Sequence, residues 1–177
     1  KDPFRVKASM ISVIVTVLLS VAADQLTKLA AVRLLKPGSV TALPGVLDFT
    51  YVENRGAAFG SFSDSRWIFL VLSVALIIVL SYFIACKKDY ARMVYVSFSL
   101  MLGGGIGNMI DRLTLAYVID YIDFYPIPAW IWVFNLADAA ICVGVALFAV
   151  YLFFFEKRAK ASGKKVVFDD APKKTSG

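Results

Sequence analysis

Apolar residues fall into four long runs, near 8–32, 66–86, 93–113 and 132–155, divided by polar or broken segments. Crossing a hydrocarbon core takes about 20 helical residues, so each run predicts a membrane-spanning helix. Residues 33–65 are too polar to span and are punctuated by Pro37, Gly38, Pro44 and Gly45. Within them VLDFTYVEN alternates as a strand does, and AAFGSF is a candidate partner, so residues 40–62 predict a small sheet. Residues 114–131 carry Tyr117, Tyr121, Tyr125, Pro126, Pro128 and Trp130, the composition of a loop or short helix lying in the interface as a lid. The polar, basic stretch 161–177 predicts a disordered tail. The fold class is therefore a mainly α membrane protein. It is a four-transmembrane-helix bundle with a small extracytoplasmic β-sheet and an interfacial loop or helix, in one domain over residues 1–160.

Charge orients this bundle. Lys1, Arg5 and Lys7 precede the first run, and Lys87, Lys88 and Arg92 join the second to the third. Lys157, Arg158, Lys160, Lys164, Lys165, Lys173 and Lys174 follow the fourth. Thirteen of the nineteen Lys and Arg thus share one side, which the positive-inside rule makes cytoplasmic, with both termini there. Trp67, Trp130 and Trp132 fall at the opposite ends, where an aromatic belt belongs. The net charge of +6 therefore serves topology, and no nucleic-acid partner is expected. Asp24 and Lys28 close the first run in place of a short cleavage site, so a retained span is expected.

Composition removes several chemistries. The chain is 59% hydrophobic and has no histidine, which excludes Ser-His-Asp and Cys-His nucleophilic arrangements and the usual His-bearing zinc sites. Cys86 and Cys142 read as packing thiols.

What remains is a layer of costly polar residues inside apolar runs. At 1.5 Å per residue, Asp24 lies about 24 Å along the first helix, and Asn108 and Asp111 roughly 22–27 Å along the third. Asp138 lies about 9 Å beyond Trp132. All are near the outer boundary, and a shared depth argues for one site. An intramembrane carboxylate is a functional residue by default. Asp138 has no basic neighbour in sequence, whereas Asp111 has Arg112 as a ready counterion. Asp24 and Lys28, at i and i+4, suit a helix-face ion pair or a substrate contact. Asn108 and Asn135 suit interhelical hydrogen bonds or the orientation of a carboxylate. Asp138 with Asp120, or with Asp123 in its place, would make an acid pair that shares a proton and activates a water.

Five segments, in order, carry a resemblance: VAADQLTK at 21–28, ENRGAAFG at 53–60, GGGIGNMIDR at 103–112, VIDYIDF at 118–124 and FNLADAAI at 134–141. With them the chain resembles the bacterial signal peptidase II (lipoprotein signal peptidase) family. The resemblance implies an intramembrane aspartic endopeptidase, without cofactor or metal. Its substrate would be a prolipoprotein whose cysteine carries a diacylglyceryl group, cleaved just before that cysteine. It implies the bacterial cytoplasmic membrane, with membrane lipids as surroundings and a monomeric enzyme. Matched by motif, the catalytic pair is Asp120 and Asp138, and the supporting positions are Asp24, Lys28, Asn54, Gly56, Asn108, Asp111, Arg112 and Asn135. Arg55, beside Asn54 on the external sheet, is expected to touch the substrate peptide. Tyr121 departs from the phenylalanine frequent after the first acid, and Asp123-Phe124 offers a second alignment; the spacing to Asp138 favours Asp120. A proton-coupled transporter or a membrane scaffold are the competing classes, but a relay would spread its ionisable groups over several depths.

Overall fold

A computed structural model describes residues 10–56, 66–86, 90–124 and 132–156. Helix α1, Met10–Leu35, ends before Pro37 in the turn closed by Gly38 N–H on the Leu35 carbonyl. Two strands follow, β1 (Val40–Leu43) and β2 (Leu47–Asn54), joined through Pro44-Gly45, where Val46 N–H bonds the Leu43 carbonyl. Helices α2 (Arg66–Cys86) and α3 (Arg92–Thr114) go back and forth. Strands β3 (Val118–Phe124) and β4 (Val133–Phe134) complete an antiparallel sheet in the order β1-β2-β3-β4. Helix α4, Leu136–Val150, returns and widens into a π-helical turn at Tyr151–Glu156.

All four helices are long and apolar enough to cross a membrane. Helix α3 is the central one: 56% of its spanning window is buried, against 11–17% for the other three. Its small residues let neighbours approach, as bundles in lipid require. At Gly107 a Cβ would come within 2.5 Å of Asp24 Oδ2, so only glycine leaves room for that carboxylate between α1 and α3. The remaining helix faces present Leu, Ile, Val and Phe outward, as lipid contact demands.

Two expectations are corrected. Val118–Phe124, read as part of a loop or short helix, is a strand paired along β2, as its richness in β-branched and aromatic residues favours. The fourth helix begins at Leu136 rather than near 132, since Val133 and Phe134 pair with Asp123 and Ile122 first. The candidate return strand 57–62, the remainder of the lid 125–131 and the tail 161–177 lie outside the described residues.

Candidate active site

Asp120 sits in β3 opposite Val52 of β2. Side chains alternate along a strand, so Ile119 and Tyr121 face α1, packing with Ala31, and Asp120 faces the other way. Asp123, three residues on, shares the Ile119 parity. Strand geometry thereby separates two acids that the sequence leaves as alternatives.

The second acid is placed by a helix start. Asn135 caps α4: its Oδ1 accepts from Asp138 N–H at 2.9 Å, and Asp138 Oδ2 accepts from Asn135 N–H at 3.3 Å. With Oδ1 committed, Asn135 Nδ2 donates to Asp120 Oδ1 at 2.7 Å and to Asn108 Oδ1 at 3.1 Å. One fully buried asparagine thus touches both carboxyls. Asn108 Nδ2 donates to Asp138 Oδ1 at 2.7 Å, and Asn54 Nδ2 to Asp120 Oδ2 at 2.8 Å. All four carboxyl oxygens receive an N–H.

Behind the acids lies a charged layer. Lys28 Nζ donates to Asp24 Oδ2, Asp111 Oδ2 and Asn108 Oδ1, each at 2.9 Å. Asp24 Oδ1 accepts Ala137 N–H at 3.0 Å, and Asp111 Oδ2 accepts Ile119 N–H at 3.1 Å. These anions therefore tether the starts of α4 and β3 to α1 and α3. Asp24, Lys28 and Asp111 are no more than 2% exposed. Buried charges persist only when paired and hydrogen-bonded, and these are both.

The other expected residues occupy the rim. Gly56, at φ +91°, turns its N–H onto Asn54 Oδ1 at 2.9 Å and so aims the Asn54 amide at Asp120. Arg55 is exposed, pairs with Glu53 at 3.2 Å and lies over the Tyr117 ring, away from the acids. Arg112 is not the partner of Asp111, which pairs with Lys28 instead. Its Nη1 donates to the Asn108 carbonyl at 3.3 Å, and its guanidinium covers the Phe69 ring. Gln25 escaped notice in the sequence. Its Nε2 reaches Asp24 Oδ2, Asp111 Oδ1 and the Gly107 carbonyl at 3.0–3.3 Å. Its depth beside Asp24 was the available signal.

Burial pushes the Asp120 carboxyl up to about 6, aided by the charge of Asp138 and opposed by the amides of Asn54 and Asn135 and by Lys28. It can therefore exchange a proton near neutrality, as a general acid or base must. Asp138 opens onto a groove of about 310 Å³ lined by Asn54, Trp132, Val133, Phe134, Ile141 and Cys142. Cys142, expected to be packed away, is exposed along this groove. Among the described residues, no three His, Cys, Asp or Glu side chains gather as metal ligands would. Two carboxyls hung on one asparagine, beside an apolar groove, are equipped to activate water against a carbonyl.

Comparison with known proteins bears on what that groove serves. Residues 16–154 match the family model for signal peptidase (SPase) II. The lipoprotein signal peptidase of Halothermothrix orenii is 40% identical over 148 residues, covering 82% of this chain and 97% of that protein. That of Clostridioides difficile is 34% identical, covering 83% and 98%. Two solved structures described as bacterial membrane enzymes superpose with TM-scores of 0.73 and 0.74, at 29% and 30% identity. They cover 88% and 81% of this chain and 93% and 94% of their own.

Proposed function

The chain belongs to the signal peptidase II family, and from that premise we infer how this membrane protease removes signal peptides from prolipoproteins. Asp120 and Asp138 are the catalytic pair of an aspartic mechanism. The observation that carries the assignment is Asn135, which bonds both carboxyls at once while capping α4. Two neighbouring carboxyls do not both ionise cheaply, so the pair holds one proton near neutral pH. The ionised member takes a proton from a water bound between them as the water attacks the scissile carbonyl. The protonated member donates to the developing oxyanion, then passes its proton to the leaving amine. The pair titrates as a unit, and neither acid is assigned the starting proton.

The groove supports a substrate of matching chemistry. Its apolar wall of Phe134, Ile141 and Cys142 suits the acyl chains of a diacylglyceryl-modified cysteine, and Asn54 and Asp138 present polar atoms to the peptide beside it. Acyl chains gain little by leaving bilayer for groove, so the lipid acts chiefly as an anchor that holds the scissile bond at the depth of the acid pair. Arg55 and Tyr117 stand at the rim, where upstream peptide would pass. The reading places the enzyme in the bacterial cytoplasmic membrane as a monomer among lipids. Both termini are inside and the pair sits near the outer surface, an orientation supported by the distribution of Lys and Arg.

A cleavage assay with purified enzyme tests this. A peptide carrying a diacylglyceryl-cysteine is cut just before that cysteine, and its unlipidated twin is cut poorly. Equal cleavage of the two peptides would refute the role given to the lipid.

A further inference from the structure

Lys28 has three donors and all are engaged, yet among the described residues those bonds reach neither Asp120 nor Asp138. Its influence passes through Asn108. An asparagine amide is free to present either end until its surroundings decide. Lys28 only donates, so Asn108 must turn Oδ1 toward it, which leaves Nδ2 for Asp138. The same Oδ1 accepts from Asn135 Nδ2, whose other bond goes to Asp120. Asn135 is fixed by its cap, so Lys28 and Asn135 together hold Oδ1 of Asn108 and keep its Nδ2 on Asp138. Without the cation, Asn108 Oδ1 loses its charged donor and keeps only Asn135 Nδ2, so the amide is held less firmly against Asp138.

We propose that Lys28 is a positioning residue for proteolysis, holding the Asn108 amide donor-first against Asp138 and stabilising the ionised form of the acid pair by its buried charge. This rests on the reading of Asp120 and Asp138 as the catalytic pair. The groups facing that pair are Asp24, Gln25 and Lys28 from α1, and Asn54 from β2. Asn108, Asp111 and Arg112 face it from α3 and Asn135 from the start of α4, while Tyr121, on the α1 face of β3, lies within electrostatic reach of Asp24 and Asp138. Asp24 and Asp111 partly neutralise Lys28, whose own charge still pulls Asp120 down against the push of burial. Removing the cation and removing one of its anions must then act in opposite directions.

The test is the pH profile of kcat on the lipidated peptide, for wild type, for the double variant Lys28→Met/Asp24→Asn, and for Asp111→Asn. The double variant removes one cation and one anion, so the buried layer keeps its net charge, and Asp111 keeps the Gln25 Nε2 and Ile119 N–H donors. Loss of the cation moves the acidic limb to higher pH by roughly one unit and lowers kcat about tenfold, with KM within about twofold. Asp111→Asn, with Lys28 less neutralised, moves the same limb to lower pH. A merely structural role lowers the unfolding temperature and leaves both limbs where they are, and that result overturns the proposal. If the double variant shows no folding transition, the Asp111→Asn limb alone decides: a downward shift supports the role, and an unmoved or raised limb sinks it. Failure of the wild-type enzyme to cut the lipidated peptide would instead strike the mechanism above.

Discussion

Near the start of α1 and the end of α4, the helices meet through Val13, Leu80, Ile84, Val94, Phe98, Leu102 and Tyr151. Phe98 there lies against Phe83 and Phe148 at ring-centroid distances of 6.1 and 5.0 Å. At the opposite end, α1, α3 and α4 meet through Asp24, Lys28, Asn108, Asp111 and Asn135, all buried. The same three helices thus pack by two different means along their length. Apolar side chains gain little by leaving lipid for protein, so the first end is held by dispersion and close fit, which tolerate swaps of equal volume. The second end is held by directed bonds, where each donor has its acceptor and one deletion strands a buried partner. The acids belong to the directed end because proteolysis needs orientation, which dispersion does not supply.

That division is open to breakage. The largest effects are on turnover: Asp138→Asn and Asp120→Asn each lower kcat by roughly 10²–10⁴-fold while the protein stays folded in detergent. Phe98→Ala does the reverse, costing about 3 kcal/mol of stability and leaving the folded fraction active. An active Asp138→Asn enzyme, or a well-folded but inactive Phe98→Ala enzyme, would erase the contrast between the ends. Next comes Asn135→Ala, which removes the side-chain cap and the contacts to Asp120 and Asn108, while the backbone N–H stays on Asp138. It is expected to cost roughly 10²-fold in kcat together with about 1 kcal/mol of stability, read by kinetics and thermal unfolding side by side.

A smaller effect sharpens the electrostatic side. Asp120 has a native value of about 6, above the value of about 3.9 for an unfolded chain. A raised carboxyl stabilises the fold while protonated, and that contribution is present below pH ~4 and lost as pH rises through about 6. The loss is about 3 kcal/mol at neutral pH. Asp120→Asn, which cannot ionise, should therefore gain on wild type in unfolding temperature as pH climbs from 4 to 7; parallel curves would show that the acid is not desolvated. Smallest of all is Arg55→Ala. The Arg55–Glu53 pair is exposed, so the unfolding temperature should not move and KM should change no more than about twofold. A large rise in KM would extend the directed end outward to the rim.

Much of this arrangement was written in the order of the residues. Four apolar runs determined the span count, because burial in lipid acts on local composition. The depth of Asp24, Asn108, Asp111 and Asp138 determined that one layer would hold the polar groups, since helical rise converts position into height. Only the tertiary structure decided who meets whom within that layer. Strand parity chose Asp120 over Asp123, Lys28 displaced Arg112 as the partner of Asp111, and Gln25 joined the network. Val118–Phe124 became the third strand of the sheet instead of a lid. These outcomes depend on contacts between segments up to 113 residues apart, as from Ala137 to Asp24. A hydrogen bond is satisfied by direction and distance in space, and neither is a property of the sequence near it.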